Sequence, residues 1–255
     1  MSADVQPNED QQKSSVDQIR ERFDRDVERF SNLETGQTST MDASLVMDLI
    51  CRSAARVTPL ASDLLDIGCG AGNYSLKILE YLPRINVTLV DLSQPMLQRA
   101  GERLSQAPCG KITCNHTDIR DFSAPEASFD LIIAAAVFHH LRNDEEWHSV
   151  FTNLYRWLRP GGSLWISDLV DHDVSAIREL MQERYGEYLT GLKDETYRDF
   201  VFDYIKKEDT PRSLNFQMDL LHQVGFSQPE VLHKNTCFAA FGGMKQEKKL
   251  FRGES

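Results

Sequence analysis

Five strand-patterned runs that alternate with helix-patterned ones leave this chain few folds to choose from. The strands read at 64–68 (LLDIG), 86–92 (NVTLVDL), 111–118 (KITCNHTD), 129–137 (FDLIIAAAV) and 162–170 (GSLWISDLV), and helical stretches fill 73–81, 94–106 and 143–158. Mostly apolar strands alternating with helices predict a parallel sheet covered on both faces. LRPGG (158–162) reads as a helix stop and tight turn into the fifth strand. After that strand the rhythm changes. Residues 172–209 read as helix without a strand of their own, and SLNFQMDLLHQVGF as a further helix. PEVLHKN and CFAAFGG then form a β-pair, most simply antiparallel across a turn near Asn235 and Thr236. The expected fold class is α/β: a doubly wound, mostly parallel seven-stranded sheet ending in an antiparallel hairpin, with a helical insert after strand 5.

Ahead of the sheet, Val16, Ile19, Phe23, Val27 and Phe30 recur at spacings of three and four, which predicts one amphipathic helix. SNLETGQTST breaks it, and Thr40 or Asp42 could cap a second helix carrying Leu45, Val46, Leu49 and Ile50. Residues 1–14 are polar and expected to be disordered. The expected organisation is therefore a tail (1–14), an N-terminal helical segment (15–58), a core (59–171), the insert (172–209) and a last helix with hairpin (210–255).

Composition narrows the partners. The chain has 39 acidic against 28 basic residues, a net charge of −11, which argues against nucleic acid and anionic membrane surfaces. No run approaches the ~18 apolar residues of a membrane span, and the polar start lacks the design of a signal peptide. Cys51, Cys69, Cys109, Cys114 and Cys237 are an odd, scattered set. They are a poor disulfide framework, so free thiols and a cytoplasmic location are expected.

The turn after the first strand carries the chemistry. Gly68, Gly70 and Gly72 give G-x-G-x-G between strand and helix, where glycine lets a ligand approach the backbone. The dinucleotide fingerprint has its third glycine one position later, at the slot held here by Asn73. No Lys or Arg lies between Asp66 and Leu76, which argues against a phosphate loop. Asp91 ends the second strand about twenty residues on, placed to accept hydrogen bonds from two ribose hydroxyls. Asp118, followed by Ile119, closes the third, within reach of an adenine amino group. Three successive strand ends thus face one nucleoside-shaped site.

DIGCGAGNYS, VDLSQPML, HTDIRDF, FDLIIAAAVFHHL and LRPGGSLWISD resemble the successive motifs of class I S-adenosylmethionine-dependent methyltransferases of the small-molecule type, over roughly residues 60–170. VGF…VLHKNTCFAAFGG is more loosely similar to the last helix and hairpin of that fold, and IRERFDRDVERFSNLETGQ to the lid helix that precedes it in small-molecule and wobble-uridine-pathway relatives. The resemblance implies S-adenosylmethionine as cofactor. It would set Asp66, Gly68, Cys69, Gly70 and Gly72 around the methionine moiety and Asp91 on the ribose. Leu92 and Met96 would flank the adenine, with Asp118 and Ile119 at its edge. Ala135 and Ala136 would lie beside the carboxylate and sulfonium.

The acceptor is open to oxygen, nitrogen or carbon, and the oligomeric state is open too. His139 and His140, just past the fourth strand, are the candidate catalytic residues, for acceptor binding or as general base, against a plain structural role in the turn. Asp168, Asp171, His172 and Asp173 cluster without a metal-specific spacing, so no metal is expected. Tyr185, Tyr188, Tyr197, Phe200, Phe202 and Tyr204 could surround an acceptor or simply form a small core, and Arg198 and Arg212 could anchor an acidic one. The rival readings are an enzyme using a carboxylated S-adenosylmethionine, a non-catalytic partner that binds the cofactor, and, more remotely, a nicotinamide dehydrogenase.

Overall fold

The computed structural model describes residues 13–32 and 37–247. Most of the tail for which disorder is expected therefore lies outside the described residues. A seven-stranded sheet forms the centre: β1 (Asp63–Ile67), β2 (Asn86–Asp91), β3 (Ile112–His116), β4 (Phe129–Ala135), β5 (Leu158–Leu169), β6 (Ser227–Asn235) and β7 (Phe238–Met244). Their spatial order is β3-β2-β1-β4-β5-β7-β6. β1 to β5 run parallel, and β7 is antiparallel to both β5 and β6, as the hairpin pattern predicts.

The inner strands β1, β4 and β7 are largely apolar because both faces are covered, whereas the edge strands β3 and β6 carry exposed polar residues. On β4, Ile132 and Ala134 point into one core with Trp147, Phe151 and Trp157. Their neighbours Leu131 and Ile133 point into the other, with Ile50, Ile78, Leu89 and Trp165. α6 (Asp144–Trp157) and α9 (Leu214–Val224) cover the first face. α3 (Ala43–Val57), α4 (Asn73–Leu79) and α5 (Gln94–Ser105) cover the second. Truncating one fully buried residue such as Leu64 or Ile132 to alanine costs about 2–5 kcal/mol in sites of this kind.

Most strand and helix ends shift by no more than two residues, and three features depart further from expectation. The single N-terminal helix is two, α1 (Val16–Arg25) and α2 (Val27–Ser31), because Asp26 (φ −100°, ψ 9°) leaves helical geometry between them. Asp42 does precede α3, but in the left-handed region (φ 58°) and without a side-chain cap. Its carboxylate instead accepts hydrogen bonds from Asn235 and pairs with His233 on β6. β5 begins at Leu158, four residues early: LRPGG both ends α6 and joins the strand. The extra residues are absorbed as a register shift, Phe129 pairing with Leu158 and Leu131 with Ser163.

Chain order reverses between β1 and β4, so the connections leaving their carboxyl ends diverge and open a crevice. α1 and α2 cross this crevice next to α5. From the other side α7 (Ser175–Leu192) and α8 (Glu195–Glu208), the two helices of the insert, pack on each other around Tyr185, Leu189 and Val201. Among the described residues no helix is long and apolar enough to cross a membrane.

Candidate active site

The crevice is a cavity of about 300 Å3, at the lower end of the range for small-molecule sites. Its floor is the carboxyl edge of the sheet. The turn after β1 owes its shape to two glycines. Gly68 (φ +60°) is pressed against Val137, so that a Cβ there would stand 2.2 Å from Val137 Cγ2. The Gly68 and Cys69 amides donate to the Val90 carbonyl, which pins the turn to the neighbouring strand. Gly70 (φ +50°) would meet nothing within 4 Å and so presents bare backbone to the cavity. Gly72 (φ +80°) does not line the cavity. It starts α4, and its missing side chain lets α4 approach Ala100 of α5.

Two carboxylates stand under the turn. Asp66 is 2 % exposed, and Ser75 donates to it at 2.5 Å. Burial raises its pKa to about 7, against the pull of Ser75, with the charge of Asp91 adding to the rise. Asp91 accepts the Gly70 amide on Oδ2 and the Ser93 amide on Oδ1, both at 2.8 Å. Burial raises it to about 6, opposed by those two amides. A carboxylate offers about four lone-pair sites, so each oxygen retains room for one further donor.

Leu92 and Met96 continue the wall beyond Asp91, with Asp118 and Ile119 beside them. Asp118 is already engaged, because the backbone N–H and guanidinium of Arg120 donate to both of its oxygens. At the end of β4, Ala136 holds a left-handed conformation (φ +58°), and its amide donates to Ser167 on β5. Strain of that kind gathers at functional sites. Ala135 and Ala136 face the cavity between the glycine turn and a single 3-10 turn, Phe138–His140. Of the residues expected to hold the cofactor, the fold brings all except Gly72 to one cavity, together with both histidines.

The far end of the cavity is built differently. His139 Nδ1 makes a short hydrogen bond to Asp168 Oδ1. The Phe138 and Leu169 amides hold that carboxylate, each at 2.7 Å. Burial alone would lower the His139 pKa, but the Asp168 and Asp209 carboxylates outweigh it and raise the pKa. His140 is held well below its ordinary value by burial and by the adjacent His139. Asp209, after α8, is raised, chiefly by burial. Phe23, Phe30, Tyr185, Tyr197, Phe200 and Tyr204 complete this end. Tyr188 and Phe202 do not reach it and pack in the core of the insert.

The other sequence candidates disperse. Arg178 holds Asp171, Asn215 donates to Asp173, and His172 meets Lys234. Arg198 pairs with Asp199 and Arg212 with Asp144, both away from the cavity. Sequence reasoning missed Arg22, Arg120 and Asp209, all on the cavity wall. Asp209 sits in KKEDTP, which reads as an ordinary charged helix end before a proline, and no local signal separates it from its neighbours.

Known proteins resemble this chain in part of its sequence and in its fold. Residues 64–162 match the family model for a methyltransferase domain. The chain is 27 % identical over 172 residues to a malonyl-[acyl-carrier protein] O-methyltransferase of Paenibacillus sp. (strain JDR-2), covering 67 % of this chain and 61 % of that one. It is 32 % identical over 130 residues to a 27-O-demethylrifamycin SV methyltransferase of Amycolatopsis mediterranei, covering 51 % and 46 %. The matches thus span about half the length of these relatives. Human N-acetylserotonin methyltransferase, solved in complex with its cofactor, shares the fold with a TM-score of 0.56 at 18 % identity, over 91 % of this chain and 57 % of that one. Residues 64–162 thus resemble a methyltransferase domain, and they lie within a sheet of the doubly wound, hairpin-ended order β3-β2-β1-β4-β5-β7-β6.

Proposed function

We propose that the protein transfers the methyl group of S-adenosylmethionine to a small-molecule acceptor. The observation that carries this reading is a single cavity with two unlike ends. One is a sheet edge lined by Gly70 and Asp91, and the other is an aromatic end bordered by His139 and His140. The residues suit the cofactor. Gly70 leaves a cradle that any Cβ would fill, and Asp91 keeps a lone pair on each oxygen for the two ribose hydroxyls. Leu92, Met96 and Ile119 offer apolar contact to the adenine, and Asp118 its edge. Asp66 and the Ala135–Ala136 backbone face the methionine end, while Gly72 serves indirectly by setting how closely α4 meets α5.

When bound, the cofactor supplies a methyl on a sulfonium, a leaving group that is already activated. The protein's work is then alignment and exclusion of water. In this reading α1, α2 and the insert form a lid and cap, and the aromatic chamber orients the acceptor toward the strand ends. The carboxylated-cofactor alternative asks for an uncommitted guanidinium. On the cavity wall Arg22 pairs with Glu208, Arg29 with Asp26 and Arg120 with Asp118. Five unpaired cysteines suit the cytoplasm.

Calorimetry with S-adenosylhomocysteine tests the cofactor, and labelled-methyl transfer across metabolite pools tests turnover. Absence of binding by folded protein sinks the reading, and binding without transfer to any pool favours a non-catalytic partner. Asp91→Ala removes two charge-assisted hydrogen bonds and should weaken S-adenosylhomocysteine about 10- to 100-fold. An unchanged affinity would remove Asp91 from the ribose.

A further inference from the structure

Three side chains at the chamber end point their ligand atoms at one another: His139 and His140 from the 3-10 turn, and Asp209 from the loop after α8. The three atoms lie within 4.8 Å of one another. His139 Nε2 is 3.7 Å and His140 Nδ1 3.4 Å from Asp209 Oδ1. None of these approaches is a formed hydrogen bond. Asp209 Oδ1 and both ring nitrogens of His140 are buried without a hydrogen-bond partner. Buried polar atoms are almost always satisfied, so Asp209 Oδ1 and the His140 Nδ1 that faces it, two orphans in one place, call for an occupant.

We propose that His139 Nε2, His140 Nδ1 and Asp209 Oδ1 bind a divalent transition-metal ion of the zinc class. The separations suit it. Ligand bonds of about 2.0–2.1 Å in a tetrahedral site put ligand atoms about 3.3–3.4 Å apart, close to the 3.4 Å and 3.7 Å edges to Asp209, while the edge between the two histidines lies within 4.8 Å and would close on binding. Two imidazoles and a carboxylate favour zinc, cobalt or ferrous iron over magnesium or calcium, which take oxygen ligands. The surroundings set the ligands up as well. Asp168 engages Nδ1 of His139 and is itself fixed by two backbone amides, which leaves Nε2 turned towards Asp209, where it would bind a metal on giving up its proton. A carboxylate behind a ligating histidine is how metal proteins fix the tautomer and orient the ring. The neighbouring cations are committed elsewhere: Arg22 to the Glu208 carboxylate, and Arg142 to the Glu208 carbonyl and Thr210.

Three protein ligands leave one position open, and all three residues line the cavity. That position would take an oxygen or nitrogen atom of the acceptor, which selects acceptors bearing a hydroxyl, carboxylate or amine. The acceptor assignment rests on the methyl-transfer reading, but metal binding does not.

The test uses the full chain, stripped with a chelator and titrated with cobalt(II). One ion per chain should bind with the visible ligand-field absorption of a four-coordinate site, and X-ray absorption of the wild type should count two imidazoles and no sulfur. Asp209→Asn and His140→Ala should weaken cobalt at least tenfold. Asp168→Asn should weaken it about 10- to 100-fold while leaving the ligands in place. His172→Ala, an outlying histidine, should bind as wild type. Absence of cobalt binding by the wild type, or a spectrum without imidazole, overturns the proposal whether or not the variants fold. So do folded Asp209→Asn and His140→Ala variants that both bind as wild type. Calorimetry with S-adenosylhomocysteine on the stripped protein keeps the two readings apart. Cobalt bound without cofactor binding retains the metal site and discards methyl transfer, and the converse discards the metal alone.

Discussion

At the scale of single residues, two glycines two positions apart should respond differently to the same change. Gly68→Ala forces a left-handed Cβ to within 2.2 Å of Val137. Backbone strain and overpacking together should cost roughly 2–5 kcal/mol, read as a lower urea midpoint. Gly70→Ala meets open space and should cost only about 1–2 kcal/mol from its φ. It should weaken S-adenosylhomocysteine binding far more, because the added methyl enters the cavity. Equal loss of stability in the two variants would contradict the geometry. Asp66 gives a pH signature. Its folded pKa, about 7, lies above the ordinary 3.8, so the folded state holds the proton more tightly. The resulting stability is fully present below about pH 3.8 and is lost as pH rises towards 7. In the protein without cofactor, Asp66→Asn should flatten this fall, worth roughly 2–4 kcal/mol, in urea midpoints compared at pH 5 and pH 8. A wild-type slope that persists in the variant would assign it to another group. Much of this site was legible in sequence because strand ends and glycines are local signals. Asp209 was not, since its place beside two histidines 70 positions away follows only from how α8 packs.

Among the elements, α1 is held on by polar contacts at two points. Asp24 accepts the Ser93 hydroxyl at the start of α5, at 2.6 Å. The Arg22 guanidinium donates twice to Glu208 Oε2 at the end of α8 and also stacks on Phe23 and Tyr204. Glu208 is 6 % exposed, so removing its partner strands a buried carboxylate. Arg22→Ala should cost about 3–5 kcal/mol locally. The loss should show as faster hydrogen exchange across residues 16–25 and 195–208, with the exchange of β1 and β4 unchanged. Uniform acceleration over the whole chain would mean that α1 is part of the sheet's cooperative unit. Periodicity in the sequence marked α1 as amphipathic but ran it on through Asp26, because hydrophobic spacing is continuous across the break. In the same way LRPGG announced a stop correctly, yet the residues of the stop pair with β4 through a register shift that spacing does not encode.

For the whole molecule, division of labour follows from topology. The reversal between β1 and β4 leaves an edge where one strand end after another contributes a polar group, and this part was readable because each βα turn is short. How α1, α2, α7 and α8 close over that edge was not readable, since it depends on contacts between segments 146 and more positions apart. Tyr185 and Tyr188 illustrate it: their hydroxyls donate to the Ser39 and Thr38 carbonyls. If the cap and the sheet edge share one ligand, binding at the edge should be felt in the cap. S-adenosylhomocysteine added to the full chain should slow hydrogen exchange in residues 16–31 and 195–208 more than in β4 and β5. The strands are already protected by the two cores, whereas α1 and α8 each present one face to the cavity. Protection confined to residues 66–72 and 91–96 would show a cofactor held by the sheet edge alone, and would leave the cap to the acceptor.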